Sequence, residues 1–113
     1  MKKLLLILLL ASCAEETRTQ PPGLIPRDAF VNLLVDIQQL EAVSKQKMIR
    51  IDNPAPRIAG YYVSVFHQHN ITEQQFRDSF LWYYEDPDDM IAIYEEVLNI
   101  LVQRQTERGR SQN

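Results

Sequence analysis

The sequence predicts an all-α fold, a small bundle of three to four helices. Two observations predict it: apolar residues recur at helical spacing in four segments between 24 and 104, and helix start and stop signals separate those segments. A chain of 113 residues sets the scale, with room for one small domain and a modest core.

The first helix opens at Leu24-Ile25-Pro26-Arg27-Asp28. Proline is tolerated in a first helical turn and Asp28 suits the positive end of the helix dipole. Leu24 or Ile25 is placed to fold back as a hydrophobic staple. At about 100° per residue, Phe30, Leu33, Leu34, Ile37, Leu40 and Ser44 share one stripe, while Asn32, Asp36, Gln38 and Gln39 face elsewhere. Residues 45–57 break the period, carry Pro54 and Pro56, and mix cations with Met48, Ile49 and Ile51. This reads as a connection whose isoleucines tuck against the bundle, and its length also makes it a place for function.

Helix two is expected over 57–69, with Ile58, Tyr61, Tyr62, Val65, Phe66 and His69 on one broad side. Asn70 stands where a helix commonly ends in a left-handed residue, and Ile71 is placed to pack back beneath it. Thr72 with Gln75 three residues later matches a capping box, which restarts the chain as helix three over 73–85. Phe76, Ser79, Phe80, Tyr83 and Tyr84 are expected inward, Ser79 as a small contact between rings. Asp86 as N-cap, Pro87 at the first helical position and Asp88-Asp89 in the first turn launch helix four. It is expected to run to 104. Met90, Ile93, Tyr94, Val97, Leu98, Ile100 and Leu101 cover nearly half its circumference, and a stripe that wide wants neighbours on two sides. Residues 105–113 form a polar tail expected to fray.

Ahead of the domain, Lys2-Lys3 and the apolar run Leu4 to Leu10 have the layout of a secretory signal over 1–12. The run is too short for a membrane span, which needs about 20 apolar residues. Its ending, Leu10-Ala11-Ser12-Cys13, resembles the bacterial lipobox. That resemblance implies cleavage between Ser12 and Cys13, a diacylglyceryl thioether on the Cys13 sulfur and a membrane anchor. Two or three acyl chains hold firmly where one is marginal. Cys13 is the only cysteine, so once it carries lipid no thiol remains for a disulfide, a metal ligand or a nucleophile. Ala14, where an aspartate is associated with inner-membrane retention, favours the outer membrane. Glu15-Glu16 resembles a surface-export signal of Bacteroides-type lipoproteins, and the periplasmic or surface face stays open. Residues 13–23, polar and then Pro21-Pro22-Gly23, read as a flexible tether lifting the 24–104 domain off the bilayer.

Composition and motifs exclude several function classes. The net charge of -3 becomes more acidic when Lys2 and Lys3 leave with the leader, which disfavours nucleic acid as a partner. A helix-turn-helix reader, suggested by the Asn70-Ile71 turn, is opposed by that acidity and by Arg77 being the lone cation of helix three. His67 and His69 diverge by about 200° on a helix and do not close on one ion. Asp86, Asp88 and Asp89 fail the calcium-loop pattern, since Ile91 and Val97 stand where glycine and glutamate are needed. No nucleophile motif, phosphate loop or cofactor motif is present, and no metal site or enzymatic activity is expected.

Pro26 with its leucine-rich helix, Tyr62, the run His69-Asn70-Ile71-Thr72-Glu73-Gln74-Gln75-Phe76, Ser79, Tyr83-Tyr84, Asp88 and Ile93-Tyr94 leading to Val97 and Leu101 form one pattern. It resembles a family of small lipoproteins from Bacteroides-type bacteria that share a domain of unknown function. The resemblance implies the fold and the localisation, and it brings no activity or catalytic residues. The expectation is therefore a lipid-anchored, non-enzymatic binding or assembly component of the cell envelope with an envelope protein as partner. Trp82, which leaves the inward face of helix three, Leu81 and residues 45–57 are its expected partner surface. The alternative is a small-ligand carrier with an aromatic cavity among Phe66, Phe80, Tyr83 and Tyr94.

Overall fold

A computed structural model describes residues 18–48 and 55–112, with backbone alone for 44–48 and 55–59. The leader, Ser12 and Cys13, the first part of the tether and residues 49–54 of the expected connection lie outside the described residues.

Four helices make up the domain: α1 (Arg27–Met48), α2 (Ala55–Gln68), α3 (Glu73–Tyr84) and α4 (Pro87–Ser111). No strand occurs among the described residues, so the all-α expectation holds. α1 is the central element, packed on both α2 and α4, and α3 packs on α4. This placement explains why α1 buries more than the predicted stripe. Phe30, Leu33, Leu34 and Ile37 are buried as expected, and Val31 and Val35, one turn apart on a second face, are buried with them. A helix with neighbours on two sides has two apolar faces, and the i, i+4 valine pair was its sequence signal.

The boundaries moved where backbone continuity outweighed apolar period. α1 continues to Met48 and α2 begins at Ala55, so the connection is confined to 49–54 and is shorter than the expected 45–57. Pro56 sits in the first turn of α2, where its missing N–H costs nothing. α4 runs on to Ser111 with exposed polar residues, so the tail expected to fray is helical.

The α2–α3 joint is built as its residues dictate. Asn70 adopts φ 54°, and Ile71 N–H donates to Phe66 O at 3.0 Å, tying off the end of α2. Thr72 Oγ1 accepts from Gln75 N–H at 3.0 Å and Thr72 N–H donates to Gln75 Oε1 at 3.4 Å, completing the capping box. Asp86 Oδ1 accepts from Asp89 N–H at 3.2 Å to start α4.

The second half of the tether is part of the fold. Pro21 to Leu24 make a turn closed by Leu24 N–H on Pro21 O at 3.2 Å, with Gly23 at φ 75°, a value that glycine adopts without strain. Beyond it the chain runs along α3. Gln75 Nε2 donates to Gly23 O at 2.8 Å, Ser79 Oγ accepts from Ile25 N–H at 3.0 Å, and Tyr83 Oη donates to Ile25 O at 2.6 Å. Gln75, Ser79 and Tyr83 are four apart, one face of the helix. Ile25 is buried outside any regular element, and its backbone groups find partners in these side chains. Ser79, expected as a spacer between rings, is fully buried as an acceptor. Ser79→Ala is expected to cost about 1–3 kcal/mol by stranding the Ile25 N–H. A fall in the urea midpoint at unchanged slope checks this.

Candidate functional site

A groove of about 460 Å³ runs between α2 and α3, walled by Tyr62, Val63, Phe66, Phe76, Phe80 and Leu81. The tight Asn70-Ile71 turn joins the two helices, and helical spacing brings aromatic residues of both to the groove. Phe66 and Phe76 lie 5.1 Å apart between centroids, Phe76 and Phe80 6.0 Å. Phe66, Phe76 and Phe80 also pack on the core from beneath, so the groove floor is supported. Its walls are bare: Val63 is 65% exposed and Leu81 55%. On the rim, Arg77 pairs with Glu73 at 2.9 Å. Deeper in, Tyr62 Oη donates to Glu41 Oε1 at 2.8 Å, and burial together with that carboxylate pushes the phenol up to about 12.

Leu81 and Trp82, the expected partner surface, have different settings. Leu81 faces solvent in the groove wall. Trp82 is half-buried and packed against the core, where an outward anchor was expected. Arg18 covers its ring, with the guanidinium carbon 4.0 Å from the centroid, donates to Trp82 O, and pairs with Glu85 at 3.3 Å. The tether thus ends on α3 at Trp82. No sequence signal tied Arg18 to Trp82, because the contact spans 64 positions.

The four residues expected around one ligand cavity do not share one. Phe66 and Phe80 belong to the α2–α3 groove. Tyr83 is core, stacked on Phe30 at 4.6 Å, and burial raises its phenol above the ordinary range. Tyr94 lies in a separate depression of about 280 Å³ with Tyr84, Pro87, Met90 and Ile91. Tyr84, also expected inward, is 63% exposed and stacks on Phe80.

The polar contacts between helices are structural. His69, expected on the broad side of helix two, lies with Nε2 2.7 Å from Asp36 Oδ2, and the other Asp36 oxygen accepts from Arg104 at 3.3 Å. Arg104 also donates to Gln39 at 3.0 Å, so α1, the end of α2 and α4 are joined at one point. His67 is exposed. Arg27 bridges α1 to Glu96 at 2.6 Å and Asp89 at 3.4 Å on α4, and the Glu96 bond leads in raising its guanidinium further. Among the described residues no group of three or more His, Cys, Asp or Glu is placed to hold a metal ion. None of their helices is long and apolar enough to cross a membrane.

With this geometry in hand, the chain can be placed among known proteins. The family described as Domain of unknown function (DUF4296) matches residues 21–107. The chain belongs to that family. The matched span begins at Pro21, so it takes in the turn, the segment running along α3, the first three helices and α4 up to its last turn. No curated protein and no solved structure matches the chain significantly. DUF4296 membership therefore identifies the domain and carries no activity with it.

Proposed function

We propose that this DUF4296 chain is an envelope lipoprotein, anchored through lipid on Cys13 and favouring the outer membrane, whose helical domain is a non-enzymatic binding or assembly component. The uncovered apolar groove between α2 and α3 carries the binding part of the reading. Leaving Val63 and Leu81 in water costs free energy that a partner recovers on covering them, and the floor is held in shape by the core. An apolar trough lined by aromatic residues of two helices suits the apolar face of a protein segment, the helix-in-groove mode.

The anchor part rests on the lipobox pattern, and Arg18 is consistent with it. Cys13 lies five residues before Arg18, a length that spans at most about 18 Å. A lipid on Cys13 would hold the Trp82 end of α3 close to the bilayer surface.

The second reading, a small-ligand carrier, is favoured by the groove's size, which falls within the range of about 300–1,000 Å³ usual for such sites. One experiment separates the two. With a photo-crosslinking amino acid in place of Leu81 in intact cells, a discrete protein adduct is expected, and none when the same group replaces the exposed Glu107 on α4. An adduct heavier by only a few hundred daltons would select the carrier, and equal yields at both positions would remove the groove from the proposal.

A further inference from the structure

The apolar surface of the α2–α3 groove does not end at Leu81. Phe80, in the groove wall, stacks on Tyr84 with ring centroids 5.9 Å apart and planes 14° from parallel. Tyr84 in turn borders the depression that Pro87, Met90, Ile91 and Tyr94 form at the start of α4. The two concavities therefore adjoin as one apolar band that turns the α3–α4 corner. Leu81, Tyr84 and Ile91 stand more than half exposed along it.

Carboxylates border this band. From Glu73 to Glu96 the chain carries eight acids against one base, Arg77. Arg77 is already held by Glu73 at 2.9 Å, and Asp89 and Glu96 are taken up by Arg27. Glu85 meets Arg18. Asp88 and Glu95 are exposed and make no ion pair among the described residues. At about 100° per residue both lie within about 60° of Ile91, on the solvent side of it. On α3, Asp78 lies within about 60° of Leu81 and only accepts from Gln74 at 2.8 Å. The surplus charge beside the exposed apolar positions is thus negative, from α3 across the corner onto α4.

Apolar surface with unneutralised carboxylates along its edge is complementary to a segment whose apolar face is flanked by cations. An acidic segment would set like charges together, and so would an anionic bilayer. Resting on the reading of the groove as a protein-binding site, we propose that its occupant is a basic amphipathic helix of a partner protein. That helix lays its apolar face on Phe80, Leu81, Tyr84 and Ile91 and sets lysines or arginines beside Asp78, Asp88 and Glu95. The carboxylates steer the encounter and the apolar band holds the complex.

Photo-crosslinking in intact cells tests the partner's chemistry, with the crosslinking amino acid in place of Leu81 in one strain and of Ile91 in another. Peptide mapping of the adducts is expected to find one partner at both positions, joined within a single segment. In that segment lysines and arginines outnumber acids and apolar residues recur at helical spacing. Glu95→Lys combined with Asp88→Asn is expected to lower the Leu81 adduct by about tenfold. Glu107→Lys, about 24 Å along α4 from Ile91, is expected to leave it unchanged, and both chains to keep their helical circular dichroism. A Leu81 adduct that survives the double change, or that maps to an acidic segment, would overturn the basic partner and leave the groove reading standing. An adduct at Leu81 with none at Ile91 would overturn the continuation of the surface onto α4. No protein adduct at either position would overturn both readings.

Discussion

Phe30→Ala is expected to lower the stability of the domain by about 3–5 kcal/mol. Phe30 is fully buried on the central helix, its ring stacked on Tyr83 at 4.6 Å and within 6.3 Å of Phe76. Truncation removes the ring's transfer free energy and leaves a cavity that helices on both sides of α1 cannot close without moving. It also takes away the face against which Tyr83 is held while it donates to Ile25, so the segment leading into α1 loosens with the core. A domain of this size has a net stability of roughly 4–13 kcal/mol, so the loss is a large share of the whole. Urea titration followed by helical circular dichroism measures it. Val63→Ala, at a residue 65% exposed, is the control and should change stability by no more than about 0.5 kcal/mol. A loss below about 1 kcal/mol for Phe30→Ala would mean that the core is not organised around this ring.

The helices were legible because their signals are local. Thr72 with Gln75, Asp86 with Pro87, and Asn70 each act within four residues, and each does in the structure what its type and spacing indicate. Burial was less legible, because a stripe reports that a face is apolar and not whether something covers it. Tyr84 on α3 and Tyr94 and Leu98 on α4 fit the helical period and still face solvent, since α4 packs on α1 and α3 through faces that leave these positions outside. α1 shows the converse, as Val31 and Val35 were taken up by a second neighbour.

The candidate site was legible only in part. Leu81 was singled out because it leaves the inward face, and it does line the groove. The other walls, Tyr62, Val63, Phe66, Phe76 and Phe80, read from sequence mainly as ordinary core periodicity, and only the angle between two helices turns them into a concave surface. Trp82 was legible as an unusual position and misread as free. Its cover comes from Arg18, far away in the chain, as do the Ser79 and Tyr83 bonds to Ile25. Contacts of such long separation leave no period, and a segment rich in proline and polar residues reads as a spacer even when it is fastened down.

That fastening bears on how the domain would sit at a membrane. With Arg18 held at Trp82 and Glu85, the proposed anchor at Cys13 lies only five residues before a point fixed on α3. Acyl chains contribute about 0.8 kcal/mol per buried methylene, so two or three together would hold firmly where one is marginal. In the proposed anchor the first two chains would sit on a thioether, which only the sulfur of Cys13 could form, since the sequence offers no second cysteine. Serine is close in size but is not an acceptor for this modification.

Metabolic labelling of the intact chain and of Cys13→Ser with radioactive palmitate, read on the purified protein after denaturation, tests the account most directly. Fatty-acid label is the right readout, because an uncleaved apolar leader can keep a chain near a membrane but cannot incorporate label. The account predicts strong incorporation into the intact chain and none into Cys13→Ser. Equal labelling of the two, or an unlabelled intact chain, would contradict it.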